Sequence, residues 1–167
     1  YKKLGLYEKT GVDLPGEAGS IMHKLENIGA VELATMSFGQ SIQITPLQLL
    51  RAVSAVVNGG TLITPHLGVR IVDSTSGENT TLSYETEEGR VSEQTVETMR
   101  SLLDAVVSEG TGKNAQVEGY QVGGKTATSE KLPRGTGKYI SSFLGFAPSD
   151  DPEIMGLLLI DEPTGVY

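Results

Sequence analysis

The sequence predicts an α+β domain, and three observations carry that prediction. A capped apolar helix begins at Thr45, a second helix is bounded by Ser92 and Gly110, and three strand-like runs follow residue 119. Helices grouped before strands, without regular alternation, are the pattern of α+β folds rather than of parallel βαβ folds. The expected sheet is antiparallel, with about three main strands and packed helices.

Residues 1–35 are rich in turn formers ("KTGVDLPGEAGS") and show no sustained period, so they read as irregular, with a short helix near the start. In "ITPLQLLRAVSAVVNGG", Thr45 is a natural N-cap, Pro46 suits the first helical position, and Gln48 completes a capping box. Gln48, Arg51 and Ser54 form a narrow polar stripe, while Leu47, Leu49, Leu50, Val53, Val56 and Val57 cover the rest, which predicts a buried helix. Asn58-Gly59-Gly60 stops it.

"LGVRIVD" and "TTLSYE" alternate as two strands around the turn "STSGEN". Glu85, Glu87 and Glu88 read as a solvated loop. The second helix starts at the Ser92 cap with Glu93 in its first turn. Val96, Met99, Leu103, Val106 and Val107 form a stripe narrow enough for a surface helix. "YQVGGKTATSEK", "YISSFLGFAP" and "IMGLLLID" are the three strands, the last two joined by the tight turn "SDDPE".

At 167 residues the chain has the size of one domain, long enough to bury about 70% of its unfolded surface. Thirteen basic against 21 acidic residues give a net charge of -8, which argues against nucleic acid as a partner. There are no cysteines, so disulfides and thiolate metal sites are excluded. His23 and His66 are far apart in sequence and lack further ligands at metal spacing, so no metal and no cofactor is expected. The first residue is Tyr1 and the last run is "LLLIDEPTGVY", which suggests a piece of a longer protein, truncated at both ends.

"GYQVGGKTAT" raises the one sharp chemical question. Gly119, Gly124, Lys125 and Thr126 match the spacing of a phosphate-binding loop. Such a loop needs an apolar strand before it and a helix opening on its lysine. Here "GTGKNAQVE" precedes it, and Pro133 and two glycines follow, so the nucleotide reading is rejected. As a strand, the segment puts Lys125 and Ala127 on one face and Thr126 and Thr128 on the other. Gly123 and Gly124 leave room for close backbone approach. A fixed ammonium with two hydroxyls suits a carboxylate or acyl ligand, and a free strand edge can pair an extended peptide or line an oxyanion hole. The same residues also describe an ordinary solvated strand. Lys131, Arg134 and Lys138, in the loop after it, read as solvated or as an anion-attracting cluster.

Resemblance separates these readings. "GQSIQITPLQLLRAVSAVVNGGTLITPHL", "VVSEGTGKNA", "GYQVGGKTATSEK" and "SSFLGFAPSDDPEIMGLLLIDEP" resemble, in order, the C-terminal half of the transpeptidase domain of class B penicillin-binding proteins, in the cell-division and sporulation branch. The resemblance implies the penicillin-binding transpeptidase fold, related to serine β-lactamases, with residues 1–167 as the C-terminal portion of one such domain. Of the family's three motifs, Ser-x-x-Lys with the nucleophile, Ser-x-Asn, and Lys-Thr-Gly on a strand, only the third is present, as Lys125-Thr126-Ala127.

Carried over by position, Lys125 would polarise the active-site hydrogen bonds. Thr126 and Thr128 would hold the carboxylate of a D-Ala-D-Ala stem peptide or a β-lactam, and the Thr128 N–H would donate to the oxyanion. The implied reaction is serine acyl transfer in peptidoglycan cross-linking, outside the cytoplasm, by a protein anchored in the membrane through an N-terminal segment. Without the nucleophile this stretch alone is expected to be inactive. Ala127 departs from the usual glycine. The alternative is a penicillin-sensing or inactive wall-peptide-binding domain of the same fold. In the family's five-stranded sheet the last strand here lies in the interior, so residues 154–160 are expected to self-associate or to be covered by the N-terminal segment.

Overall fold

The structure, a computed structural model, describes residues 1–165, which fall into two compact units. The first comprises Tyr1–Ala55 with Gly60–Arg90, and the second Val56–Gly59 with the chain from Val91 onward.

In the first unit the helix α2 (Pro46–Val57, its last two residues counted with the second unit) starts as its sequence dictates. Gln48 N–H donates to Thr45 Oγ1 at 3.1 Å, and Thr45 N–H donates to Gln48 Oε1 at 2.9 Å, closing a reciprocal capping box. The packed side of this helix differs from expectation. Gln48 is only 1% exposed and donates from Nε2 to the Glu8 carbonyl at 2.7 Å, and Arg51 Nε donates to the Ile63 carbonyl. Ala52 and Ala55 are buried beside them, while Leu47, Leu49, Leu50 and Val53 are only half-buried. The polar stripe thus faces inward, because its groups satisfy main-chain carbonyls that a leucine would leave unpaired.

Residues 1–35 hold more structure than their turn-rich sequence predicts. Single 3-10 turns occur at Lys2–Leu4 and Leu25–Asn27, and a true helix, α1 (Ala30–Ser37), follows. Its first turn is closed by Glu32, which accepts from Gly29 N–H at 2.9 Å. Val31 and Leu33 are exposed, so no inward apolar stripe announces it. Strands β2 (Arg70–Val72) and β3 (Asn79–Thr81) form the expected hairpin, shorter than the alternation suggested.

A two-residue ladder between β1 (Leu62–Ile63) and β4 (Thr86–Glu87) was not expected. It corrects the loop reading at Glu87 alone; Glu85, Glu87 and Glu88 are all exposed, as expected. Glu87 sits in a strand and pairs with Arg90 and, at 3.9 Å, with Arg51. Two carboxylates organise the rest of this unit from the main chain. Asp13 accepts from Leu67 N–H, Gly68 N–H and Tyr84 Oη, and Glu17 accepts from Thr10 N–H, Thr10 Oγ1 and Gly11 N–H.

The second unit contains the helix α3 (Glu93–Ser108) and the antiparallel sheet β5 (Gly123–Glu130), β6 (Tyr139–Ala147) and β7 (Ile154–Asp161), in that spatial order. The α+β expectation of about three main antiparallel strands with packed helices therefore holds. Ser92 caps α3 through Thr95 N–H, and Val96 and Val107 are its buried anchors, as the narrow stripe predicts. α3 lies against β5.

The sheet has one packed face. Leu144 and Phe146 are buried on it, with Met155 and Leu157 half-buried beside them, while the opposite face exposes Ile154, Leu158 and Ile160. Burying a side chain of this size contributes about 1.5–3 kcal/mol. The β6–β7 turn is held by Ser149, whose Oγ donates to Asp104 of α3 at 2.5 Å and whose N–H donates to the Gln121 carbonyl at 3.0 Å.

Candidate active site

The pairing register fixes which way β5 presents its groups. Glu130 is opposite Tyr139, and one step further Lys131 N–H donates to the Lys138 carbonyl at 2.9 Å. In an antiparallel ladder, hydrogen-bonded and non-hydrogen-bonded pairs alternate. Lys125, Ala127 and Ser129 therefore spend their main-chain groups on β6. The N–H and C=O of Gly124, Thr126 and Thr128 point away from it, to the edge of the sheet. Among the described residues no strand pairs with this edge.

Side chains follow the predicted alternation. Lys125 and Ala127 are opposite Leu144 and Ser142, on the packed face, and Thr126 and Thr128 are opposite Phe143 and Ser141, on the other. Lys125, Ala127 and Thr128 are exposed and Thr126 is half-buried. The Lys125 ammonium bends along the strand and donates to the Thr126 carbonyl at 2.6 Å, so it lies at the free edge. The edge thus gathers an ammonium, two hydroxyls and two outward N–H groups within four residues. That donor set suits an extended ligand with a carboxylate.

The glycines before the motif serve packing. A Cβ at Gly123 would stand 2.5 Å from Phe146 Cζ, and one at Gly124 would stand 2.5 Å from Phe143 Cζ and 2.6 Å from the Leu144 carbonyl oxygen. The outer end of each ring fills the space over a glycine, one on either face of the sheet. These are not phosphate-cradling glycines. β5 is preceded by an irregular segment and followed by a loop, in agreement with rejection of the nucleotide reading.

Sequence reasoning missed one neighbour of the site. Thr111 Oγ1 lies 3.2 Å from Thr126 Oγ1, in the turn that ends α3. The available signal was the Gly-Thr-Gly of "VVSEGTGKNA", where Gly112 N–H returns to the Val106 carbonyl and folds the turn back on the helix.

The two lysines of the loop after β5 are neutralised by carboxylates at the end of β7. Lys131 bridges Asp161 and Glu162, both at 2.8 Å, and Lys138 reaches Glu162 at 3.1 Å. The hydrogen bonds that Lys131 donates to Asp161 and Glu162 raise its pKa, and those that Glu162 accepts from Lys131 and then Lys138 lower that of Glu162. These lysines are therefore committed to carboxylates. His23 contacts Ser41 at 3.1 Å, and His66 stacks on Tyr84 with ring centres 3.9 Å apart.

Comparison with known proteins defines the class. The whole chain, residues 1–167, matches the family described as the penicillin binding protein transpeptidase domain. Two crystal structures of penicillin binding protein 3 from Mycobacterium tuberculosis, one apo and one complexed with ampicillin, superpose with a TM-score of 0.88 at 31% identity. They cover 97% of this chain, which spans 39% and 38% of theirs respectively.

The chain belongs to the penicillin-binding protein transpeptidase family, in its class B branch. Within it, the chain is 45% identical over 98% of its length to Stage V sporulation protein D of Bacillus subtilis. It is 32% identical over 98% of its length to the probable peptidoglycan D,D-transpeptidase PenA of Neisseria meningitidis. It spans about a quarter of the length of these relatives, 26% and 27%.

Proposed function

We propose that this chain is the C-terminal portion of a single transpeptidase domain and supplies the substrate-aligning edge of a peptidoglycan D,D-transpeptidase. The observation that carries the reading is the free edge of β5. Thr126 and Thr128 turn their N–H groups outward there, with their hydroxyls on one face and the Lys125 ammonium alongside.

In this reading the stem peptide lies along β5 as an extra strand. Thr126 and Thr128 hold its terminal carboxylate, and Thr128 N–H donates to the oxyanion of the tetrahedral intermediate. Lys125 sets the electrostatic potential of the site. The nucleophilic serine comes from a part of the protein outside these residues. It attacks the penultimate D-Ala carbonyl, the terminal D-Ala leaves with a proton, and an amine of a neighbouring stem resolves the acyl-enzyme. β-Lactams enter as mimics of the D-Ala-D-Ala end. The protein works on the outer side of the cytoplasmic membrane, anchored through a segment N-terminal to this chain. Ala127 stands opposite Ser142 and replaces the family's usual glycine without disturbing the strand register.

The test is acylation by a fluorescent penicillin. The full-length protein is expected to form a covalent adduct, and residues 1–167 alone are expected to form none by intact mass. An adduct on the isolated chain would place the nucleophile within it and overturn this division of roles.

A further inference from the structure

Away from the β5 edge, three depressions of about 480, 610 and 510 Å³ adjoin one another in the second unit. Gln121 lines all three, Asp104 is shared by the first two, Tyr120 by the last two, and Asp150 by the outer pair, so they form one continuous furrow. A tight turn raises its centre. Tyr120 N–H donates to the Val117 carbonyl at 3.0 Å, and Gly119 takes φ +83°, a conformation that favours glycine. This turn holds Tyr120 72% exposed and Val117 53% exposed, and Ile154 beside them is 71% exposed.

The rim is acidic. Glu97, Glu118 and Glu153 line the furrow and form none of the ion pairs among the described residues. Its one cation, Arg100, is already engaged, donating from Nε to the Val57 carbonyl and from Nη1 to the Asp150 carbonyl, both at 2.7 Å. An exposed tyrosine flanked by aliphatic side chains provides an apolar anchor, and tyrosine is among the residues that dominate binding energy at interfaces. Uncompensated carboxylates around such an anchor select a partner of opposite charge and repel an acidic one.

We infer that this furrow docks a short segment of another polypeptide in which apolar side chains alternate with lysine or arginine. The apolar residues pack on Val117, Tyr120 and Ile154, and the cations meet Glu97, Glu118 and Glu153. The surface is separate from the Lys-Thr edge, so docking is a recruitment function and not a step of acyl transfer.

The experiment uses the full-length protein and a fluorescein-labelled peptide of alternating leucine and arginine, read by anisotropy and by hydrogen-exchange protection. Binding is expected to protect residues 116–122 and 147–154. Tyr120→Ala and the double variant Glu118→Lys/Glu153→Lys are each expected to weaken it by about tenfold or more. Penicillin acylation should be unchanged in these variants, which also shows that they fold. Glu78→Lys/Glu85→Lys, the same charge change on the first unit, should weaken binding less than about twofold. Equal loss in that control, or equal binding of a peptide with serine in place of leucine, would reduce the attraction to net charge and overturn the proposal. Concentration-dependent protection of the same residues without peptide would assign the face to a second copy of the chain and overturn it as well.

Discussion

Along one edge of the three-stranded sheet the free main-chain groups belong to Gly124, Thr126 and Thr128. Along the other they belong to Met155, Leu157 and Leu159, because Glu162 N–H donates to the Tyr139 carbonyl and fixes the phase of the β6–β7 ladder. Both edges offer the same backbone. β5 surrounds it with an ammonium and two hydroxyls. β7 surrounds it with leucines and isoleucines and carries no charge between Ile154 and Ile160. An edge of the first kind complements an extended polar ligand, whereas one of the second kind is a template for another apolar surface. Side chains, not hydrogen-bonding geometry, assign the two edges to different work.

The strongest test acts on the foundation they share. Phe146, on the central strand, is buried on the packed face where β5 begins and supports β5 through Gly123. Phe146→Ala is expected to cost about 3–5 kcal/mol in urea unfolding and to lower penicillin acylation of the full-length protein along with it. Loss of stability with acylation intact would show that the β5 edge does not depend on the sheet behind it.

The next test separates the edges. In the full-length protein, Thr126→Val or Thr128→Val is expected to remove a charge-assisted hydrogen bond of about 1.5–3 kcal/mol and slow acylation by about 10- to 150-fold. Stability should change by less than about 0.5 kcal/mol. Thr111→Val, which removes only the partner of the Thr126 hydroxyl, should slow acylation by about 2- to 10-fold. Unchanged rates in all three would leave β5 an ordinary solvated strand.

The β7 edge is probed by Leu158→Lys. This side chain is 63% exposed, so unfolding free energy should move by less than about 0.5 kcal/mol. Residues 1–167 in isolation are expected to self-associate through residues 154–160, and the lysine should shift sedimentation toward monomer. A wild-type chain that sediments as a monomer, or a variant that sediments unchanged, would refute association through this strand.

The smallest effect concerns the ties at the far end of the sheet, where Lys131 after β5 meets Asp161 and Glu162 after β6 is crossed. Lys131 and Lys138 hold the folded-state pKa of Glu162 below its ordinary 4.5. That contribution is present above the unfolded value and is lost as pH falls through the lower folded value. For Lys131 the shift is upward, so its contribution is complete below 10.5 and fades as pH rises through the higher folded value. Glu162→Gln should therefore lower the melting temperature slightly at neutral pH and leave it almost unchanged at about pH 3, which flattens the acid limb between about pH 5 and 3. An acid limb of unaltered slope would show that the ties carry no stability.

Much of this was legible in the sequence wherever the determinants are local. Thr45, Pro46 and Gln48 announce α2 within four residues, Ser92 announces α3, and the alternation of Lys125, Thr126, Ala127 and Thr128 sets their faces. The missing parts depend on contacts distant in sequence. α1 exposes the apolar residues that would have revealed it, and β1 and β4 are two residues each, too short for a period. The inward turn of Gln48 and Arg51 required the positions of the Glu8 and Ile63 carbonyls, which no stripe encodes. The Thr111–Thr126 contact required knowing how α3 ends. Motif residues could be aligned by family resemblance, but their shared free edge needed the register.

The two rings lying on glycine have a consequence for how this segment can change over generations. A methyl group at position 123 or 124 enters space that Phe146 or Phe143 already fills, and at 124 it also meets main-chain oxygen that no neighbouring substitution removes. Position 123 can accept a side chain only in a lineage that has first, or at the same time, exchanged Phe146 for something smaller. Position 124 has no such route. Drift is therefore blocked on the approach to the motif and open at Ala127, which is exposed and lies just beyond the interlock.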